Sequence, residues 1–171
     1  MKIYQQTPLK KADLTKIIIS ISVCVLVGFL SSLATQSSVD SWFLTLEKPF
    51  FHPPSWIFAP VWIVLYILMG YSFAIIWSNK SQSRRSREII KKAMFIFGIQ
   101  LLLNALWSIL FFKLCNPFLA LIEISLLWLM IFETIKAFNK IDNFASKLLL
   151  PYLVWVSFAT VLNGSIWYLN S

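Results

Sequence analysis

The side chains able to do chemistry are few, and their types point away from acid–base or metal catalysis. His52 is the only histidine, Cys24 and Cys115 stand far apart, and no Walker, GxGxxG, HExxH or CxxC pattern occurs. The cysteines read as small apolar residues or weakly reactive thiols, and no disulfide framework or metal site is indicated. What remains is a set of amides and indoles. Phe97, Gln100, Asn104, Trp107 and Phe111 recur at spacings of three or four and share one helical stripe. Tyr152, Trp155, Ala159, Leu162 and Asn163 form a second stripe, and Trp62, Tyr66, Met69 and Phe73 a third. Glu123 and Trp128 lie five apart and need not face the same way. Broad rings beside a few polar groups suit non-covalent recognition of a planar apolar molecule. They equally suit plain packing, with Gln100 and Asn104 as interhelical glue worth about 0.5–2 kcal/mol each.

Hydropathy sets the elements that must hold these residues. The chain is 58% hydrophobic and 13% charged over 171 residues, more apolar surface than a water-soluble domain of that length could hide. Five apolar runs stand out, at residues 17–35, 57–78, 93–112, 117–135 and 148–169. Each is near the ~20 residues that cross the hydrocarbon of a bilayer. Lipid cannot satisfy backbone hydrogen bonds, so each run should be a helix. The expected fold is an all-α membrane protein, a five-transmembrane-helix bundle with a long folded loop between helices 1 and 2. Its helices fall at about 17–35, 57–78, 93–114, 117–138 and 147–169, in one domain over residues 1–171. The first run exceeds the ~7–15 apolar residues of a signal peptide and reads as a permanent helix. An odd number of spans without self-similarity disfavours an inverted-repeat transporter.

Two carboxyls interrupt the fourth run. Glu133 sits near its end, where it can reach water or neighbouring lysines. Glu123 lies deep, and no other span offers it a Lys or Arg. It is expected either to accept a hydrogen bond from an amide or aromatic donor or to be held protonated. Trp77 and Trp167 fall near opposite membrane faces and read as interfacial anchors.

The +8 net charge suggests nucleic acid until the charges are placed. Thirteen Lys and Arg fall in the tail at residues 1–16, in NKSQSRRSREIIKK and around the last connection (Lys136, Lys140, Lys147), against Lys48 and Lys113 on the other side. By the positive-inside rule the amino terminus is expected in the cytoplasm and the carboxyl terminus outside, in a bacterial cell membrane. Topology accounts for the basic run better than binding of nucleic acid or anionic lipid does.

The connection from Gln36 to Trp56 is the exception among short loops. Its core, together with the start of the second span, reads WFLTLEKPFFHPPSWIFAPVW. The prolines forbid a continuous helix while the rings want burial, so it should fold as a flap on the outer mouth of the bundle. Trp62, Trp107, Glu123 and Asn163 should then lie in the outer half beneath it. His52 reads as a solvated or hydrogen-bonding flap residue, because a lone histidine lacks a second ligand or fixed geometry for haem iron.

At this point the chain resembles the TspO/MBR family, which comprises the tryptophan-rich sensory proteins of bacteria and the mitochondrial translocator protein, or peripheral benzodiazepine receptor. The likeness lies in W(F/Y)xxLxKPxxxPPxxxF…VWxxLY from Trp42 onward. It continues in NALWSILFF from Asn104 and in PYLVWVSFATVLN from Pro151. It covers everything from the first helix to the end.

The resemblance implies a five-helix bundle whose first loop closes a pocket for protoporphyrin IX, haem or other hydrophobic planar molecules. It is also implied that many members are homodimers, and that eukaryotic ones bind cholesterol and benzodiazepine-type or isoquinoline drugs. Carried over by position, the pocket is lined by Trp42, Phe43, Pro53 and Pro54 of the loop. Trp62 and Tyr66 come from helix 2, and Gln100, Asn104 and Trp107 from helix 3. Ile124 and Trp128 come from helix 4, with Trp155 and Ala159 from helix 5. The family's cholesterol-recognition pattern is incomplete here, since no basic residue follows Tyr168, and specific sterol binding is not expected.

Three functions compete. The first is a membrane receptor or sensor for tetrapyrroles, acting in their regulation or transport, with no required cofactor and no metal. The second is a light- and oxygen-dependent porphyrin-degrading enzyme with Trp62 and Trp155 as oxidisable side chains. The third is a scaffold whose pocket is incidental.

Overall fold

The computed structural model describes residues 12–33, 36–39, 41–80 and 83–171. The tail lysines Lys2, Lys10 and Lys11, and residues 34–35 at the expected end of the first helix, lie outside the described residues. Five long helices carry the fold: α1 (Leu14–Leu33), α2 (Phe58–Ser78), α3 (Arg84–Ser108), α4 (Pro117–Asn139) and α5 (Leu150–Leu169). Among the described residues there is no strand, and five helical segments are long and apolar enough to cross a membrane. The chain is an all-α integral membrane protein.

The helix ends differ from the apolar runs for local reasons. α3 begins at Arg84, well before the apolar residues that start near Ala93. Arg, Lys and Glu are good helix formers, and Lys91 pairs with Glu88 one turn back at 3.5 Å, so the helix continues beyond the hydrophobic stretch. At its other end α3 widens into a π turn, Ile109–Lys113, where the Leu114 N–H donates to the Ile109 carbonyl at 2.9 Å. Asn116 then caps α4, its Oδ1 accepting from the Leu119 N–H at 3.0 Å, with Pro117 in the first turn. α5 is preceded by a separate short helix, Asn143–Lys147, capped by Asp142. Pro151 sits in the first turn of α5, where its missing N–H costs nothing.

α1 lies along α2, α3 along α4, and α4 along α5, while α2 meets α5 only sparsely. At Gly70 the backbones of α1 and α2 come close: a Cβ there would stand 2.5 Å from Ile21 Cα and 2.9 Å from the Ser20 carbonyl oxygen. Lys16 closes the same pair at one end, donating to the Trp77 carbonyl at 3.0 Å with its ammonium 5.1 Å from the indole centroid. Buried between α2 and the short helix, the Ser72 hydroxyl donates to the Ala145 carbonyl at 2.7 Å. The core divides in two. A large cluster holds Met69, Phe97, Ile124, Leu127, Phe138 and Tyr152. A smaller one at the opposite end holds Phe111, Ala120, Leu162 and Ile166.

The loop between α1 and α2 is folded over that smaller cluster. It contains two short helices, Gln36–Val39 and Trp42–Thr45, and a 3-10 turn, Ser55–Ile57, leading into α2. Leu46 is extended (φ −72°, ψ 141°), and a turn closes with the His52 N–H donating to the Pro49 carbonyl at 2.9 Å.

Because the atoms opposite Gly70 are backbone, a side chain there can be accommodated only by moving α1. Gly70→Val should destabilise the purified protein by about 1–3 kcal/mol. In a thermal melt in one detergent it should fall clearly below wild type, while Gly164→Ala, whose Cβ would meet only Leu121 at 3.6 Å, should not.

Candidate ligand-binding site

The underside of the loop is a mosaic of rings. Trp42 meets Phe111 edge-on at 5.8 Å, and Phe43 meets Phe112 at 5.5 Å. Phe51 reaches Phe158 of α5 at 6.3 Å. Trp107 stacks on Phe111 at 5.3 Å from the other side. The π turn makes this possible by giving consecutive phenylalanines, Phe111 and Phe112, to the loop. Leu44, Phe50 and Trp56 are exposed on the outer surface. Pro53 is half-buried and Pro54 exposed.

Below the rings, a polar relay joins three helices. The Tyr66 hydroxyl of α2 donates to Asn104 Oδ1 of α3 at 2.5 Å, and Asn104 Nδ2 donates to the Tyr152 hydroxyl of α5 at 3.0 Å. Trp62 stacks on Tyr66 at 5.6 Å and touches Tyr152 edge-on at 6.3 Å. A second relay lies nearer the loop. The Trp107 indole N–H donates to Asn163 Oδ1 at 3.0 Å, and Asn163 Nδ2 donates to the Pro117 carbonyl at 2.8 Å. Both amides are thus bridges between helices.

Gln100 and Glu123 behave differently. Both are buried, and neither the amide nor the carboxyl has a hydrogen-bond partner among the described residues. The expected amide or aromatic donor to Glu123 is therefore not in place. Unpartnered polar groups in such an interior are costly and are the ones a ligand's polar edge can satisfy.

The remaining expected site residues are dispersed. Ile124 lies in the large core cluster, and Ala159 is buried beside it. Trp128 turns to the α4–α5 seam, donating to Ser157 Oγ at 2.8 Å and stacking on the exposed Phe132 at 5.7 Å. Trp155 meets Phe58 at 5.8 Å and forms a wall of a cleft of about 520 Å³ between α2 and α5, shared with Val61, Leu65, Val154 and Phe158. Volumes of ~300–1,000 Å³ are typical of small-molecule sites.

The fold can be set beside what the chain is similar to. The model of the TspO/MBR family matches residues 20–169. The chain belongs to the TspO/MBR family. Among its relatives is the tryptophan-rich protein TspO of Archaeoglobus fulgidus, 42% identical over 161 residues, covering 93% of this chain and 99% of the relative. The TspO of Chlorobaculum tepidum is 40% identical over 150 residues, covering 88% and 92%. The translocator protein of Bos taurus is 37% identical over 143 residues, covering 84% and 83%.

Several residues of this candidate site escape a reading by residue type. Tyr152 and Phe111 lie on recognisable stripes, but nothing in their spacing says that a hydroxyl meets Asn104 or that a π turn turns a ring to the loop. Phe58 and Phe158 look like ordinary span residues. His52, in the loop, lies between Phe43 and Phe58 with both centroids at 5.8 Å, and its Nε2 is enclosed without a partner among the described residues. Burial, and then the Lys48 charge, hold its pKa below the ordinary 6.5.

Two expectations follow from this geometry. Asn104→Leu strands two buried tyrosine hydroxyls and should cost about 1–3 kcal/mol for each, read as a lowered melting temperature. Closed-loop packing prefers neutral His52, so its contribution is complete above pH 6.5 and declines as pH falls through the lowered folded-state value. Iodide should quench Trp42 more at pH 5 than at pH 7.5, and His52→Gln should flatten that dependence.

Proposed function

We propose that the chain is a membrane receptor or sensor that binds a tetrapyrrole, protoporphyrin IX or haem, among the rings beneath the loop. The observation that carries this reading is the joining of an aromatic roof to an indole-walled cleft, with Trp155 and Phe158 in both assemblies. A macrocycle needs broad apolar faces to stack on and a few polar groups at its margin. Trp62, Trp107 and Trp155 supply faces, and Gln100 and Glu123 are the polar groups left to answer the ligand.

The loop end is read as the non-cytoplasmic side of a bacterial cell membrane. Among the described residues, Lys16, the Arg and Lys at the start of α3, and Lys136, Lys140 and Lys147 gather at the other end. Relatives of the chain include proteins named as sensory and as translocator proteins. A receptor is the simpler reading, because a conduit needs two alternating openings.

A second reading, light- and oxygen-dependent oxidation of the bound porphyrin, is favoured by one observation. Trp62 stacks on a tyrosine that is itself hydrogen-bonded, a pairing of two oxidisable rings next to the site.

Titrating the protein in nanodiscs with protoporphyrin IX should quench its tryptophan fluorescence with a micromolar or tighter midpoint. Trp155→Ala should weaken binding about tenfold or more. No quenching by wild type at tens of micromolar removes the receptor reading. Under illumination in air, equal bleaching of porphyrin by wild type and by Trp62→Phe/Trp155→Phe removes the enzymatic one.

A further inference from the structure

We infer that Asn170 is a latch that holds the loop over the site and sets how fast a ligand exchanges. The inference rests on the ligand-binding reading for its consequence, though not for its geometry. Asn170 stands at the end of α5, and its carboxamide meets both backbone groups of Glu47. Its Oδ1 accepts from the Glu47 N–H at 2.9 Å, and its Nδ2 donates to the Glu47 carbonyl at 3.0 Å. This is the pairing that a neighbouring strand would offer, supplied here by one side chain to an extended stretch of loop.

Three features make this a latch. The contact spans the chain from the loop to the far end of α5, so it fixes the loop to the bundle. Glu47 lies between the short helix that carries Trp42 and Phe43 and the turn that carries Phe51 and His52. Holding Glu47 therefore holds both ring-bearing segments down. Finally, both residues are exposed, so water competes for these bonds and the latch can open. The ring contacts beneath are apolar and tolerate sliding; the Asn170 pair is directional and specifies one closed register.

Asn170 Nδ2 also donates to the Ile166 carbonyl at 2.8 Å, as a helix C-terminal residue does. Were that its whole role, losing it would fray the end of α5 and leave the loop unmoved. As a positioning residue it has a different signature. The latch is made in the unliganded chain, so both entry and exit must break it. Its loss should accelerate association and dissociation together and leave the equilibrium nearly unchanged.

The test uses the full chain in nanodiscs. For Asn170→Ala, stopped-flow with protoporphyrin IX should show both rate constants raised about tenfold, the change expected for two exposed hydrogen bonds, with Kd within about twofold. Hydrogen exchange without ligand should quicken at amides 43–52 and stay unchanged within α2–α4. The converse variant, Glu47→Cys/Asn170→Cys in a Cys115→Ser background, should slow both rates when oxidised and recover on reduction; Cys24 is buried and can stay. Unchanged exchange at 43–52 in Asn170→Ala overturns the latch, as does weaker binding with unaltered dissociation. Should wild type bind no porphyrin, the functional reading fails alone, and the exchange measurement still decides the latch.

Discussion

Lipid gives helices no hydrophobic reason to associate, since a neighbour's side chains are no more apolar than the acyl chains they replace. This bundle must therefore be held by close backbone approach and by polar bonds, and it uses both in different places. Gly70 lets α1 sit against α2 at backbone distance. Asn104 ties α2, α3 and α5 together through two tyrosine hydroxyls. Asn163 joins α3 and α5 to the first turn of α4. With those constraints met, the rest of the interior is free to carry rings and, among the described residues, the unpartnered side chains of Ser20, Gln100 and Glu123.

The candidate site and the bonds that join the helices draw on the same residue types, which explains why the sequence stripes read two ways. Gln100 and Asn104 are four residues apart on one face of α3, yet Asn104 is bonded by two tyrosines and Gln100 has no partner among the described residues. Trp107 donates its N–H to Asn163, Trp128 donates to Ser157, and Trp155 faces a cleft. Residue type and spacing place a side chain on a face; they do not say whether its polar atom already has a partner.

The architecture was legible because it follows from quantities that sum along the chain. Five apolar runs and the need to satisfy every backbone group leave little choice but five helices, and prolines at 49, 53 and 54 with rings around them foretell a folded loop. What was not legible depends on local bonding. The basic stretch before Ala93 reads as a loop by charge but is helical, because Arg, Lys and Glu favour a helix once one is nucleated by the span that follows. The π turn at Ile109–Lys113 has no sequence signature, yet it aims Phe111 and Phe112 at the loop. Asn170 carried no signal at all, since what it recognises is the backbone of Glu47 and not a side chain.

The sparse seam between α2 and α5 has a consequence for how any greasy guest would be counted. Val64 and Val154 line it and are exposed on the lateral surface, so it faces acyl chains and not water. A guest admitted when the loop unlatches would still meet this seam from the membrane phase, where an apolar compound accumulates far above its aqueous level. Occupancy would then follow moles of guest per mole of lipid. Dilution with empty vesicles would strip the protein as effectively as removing the compound from the buffer.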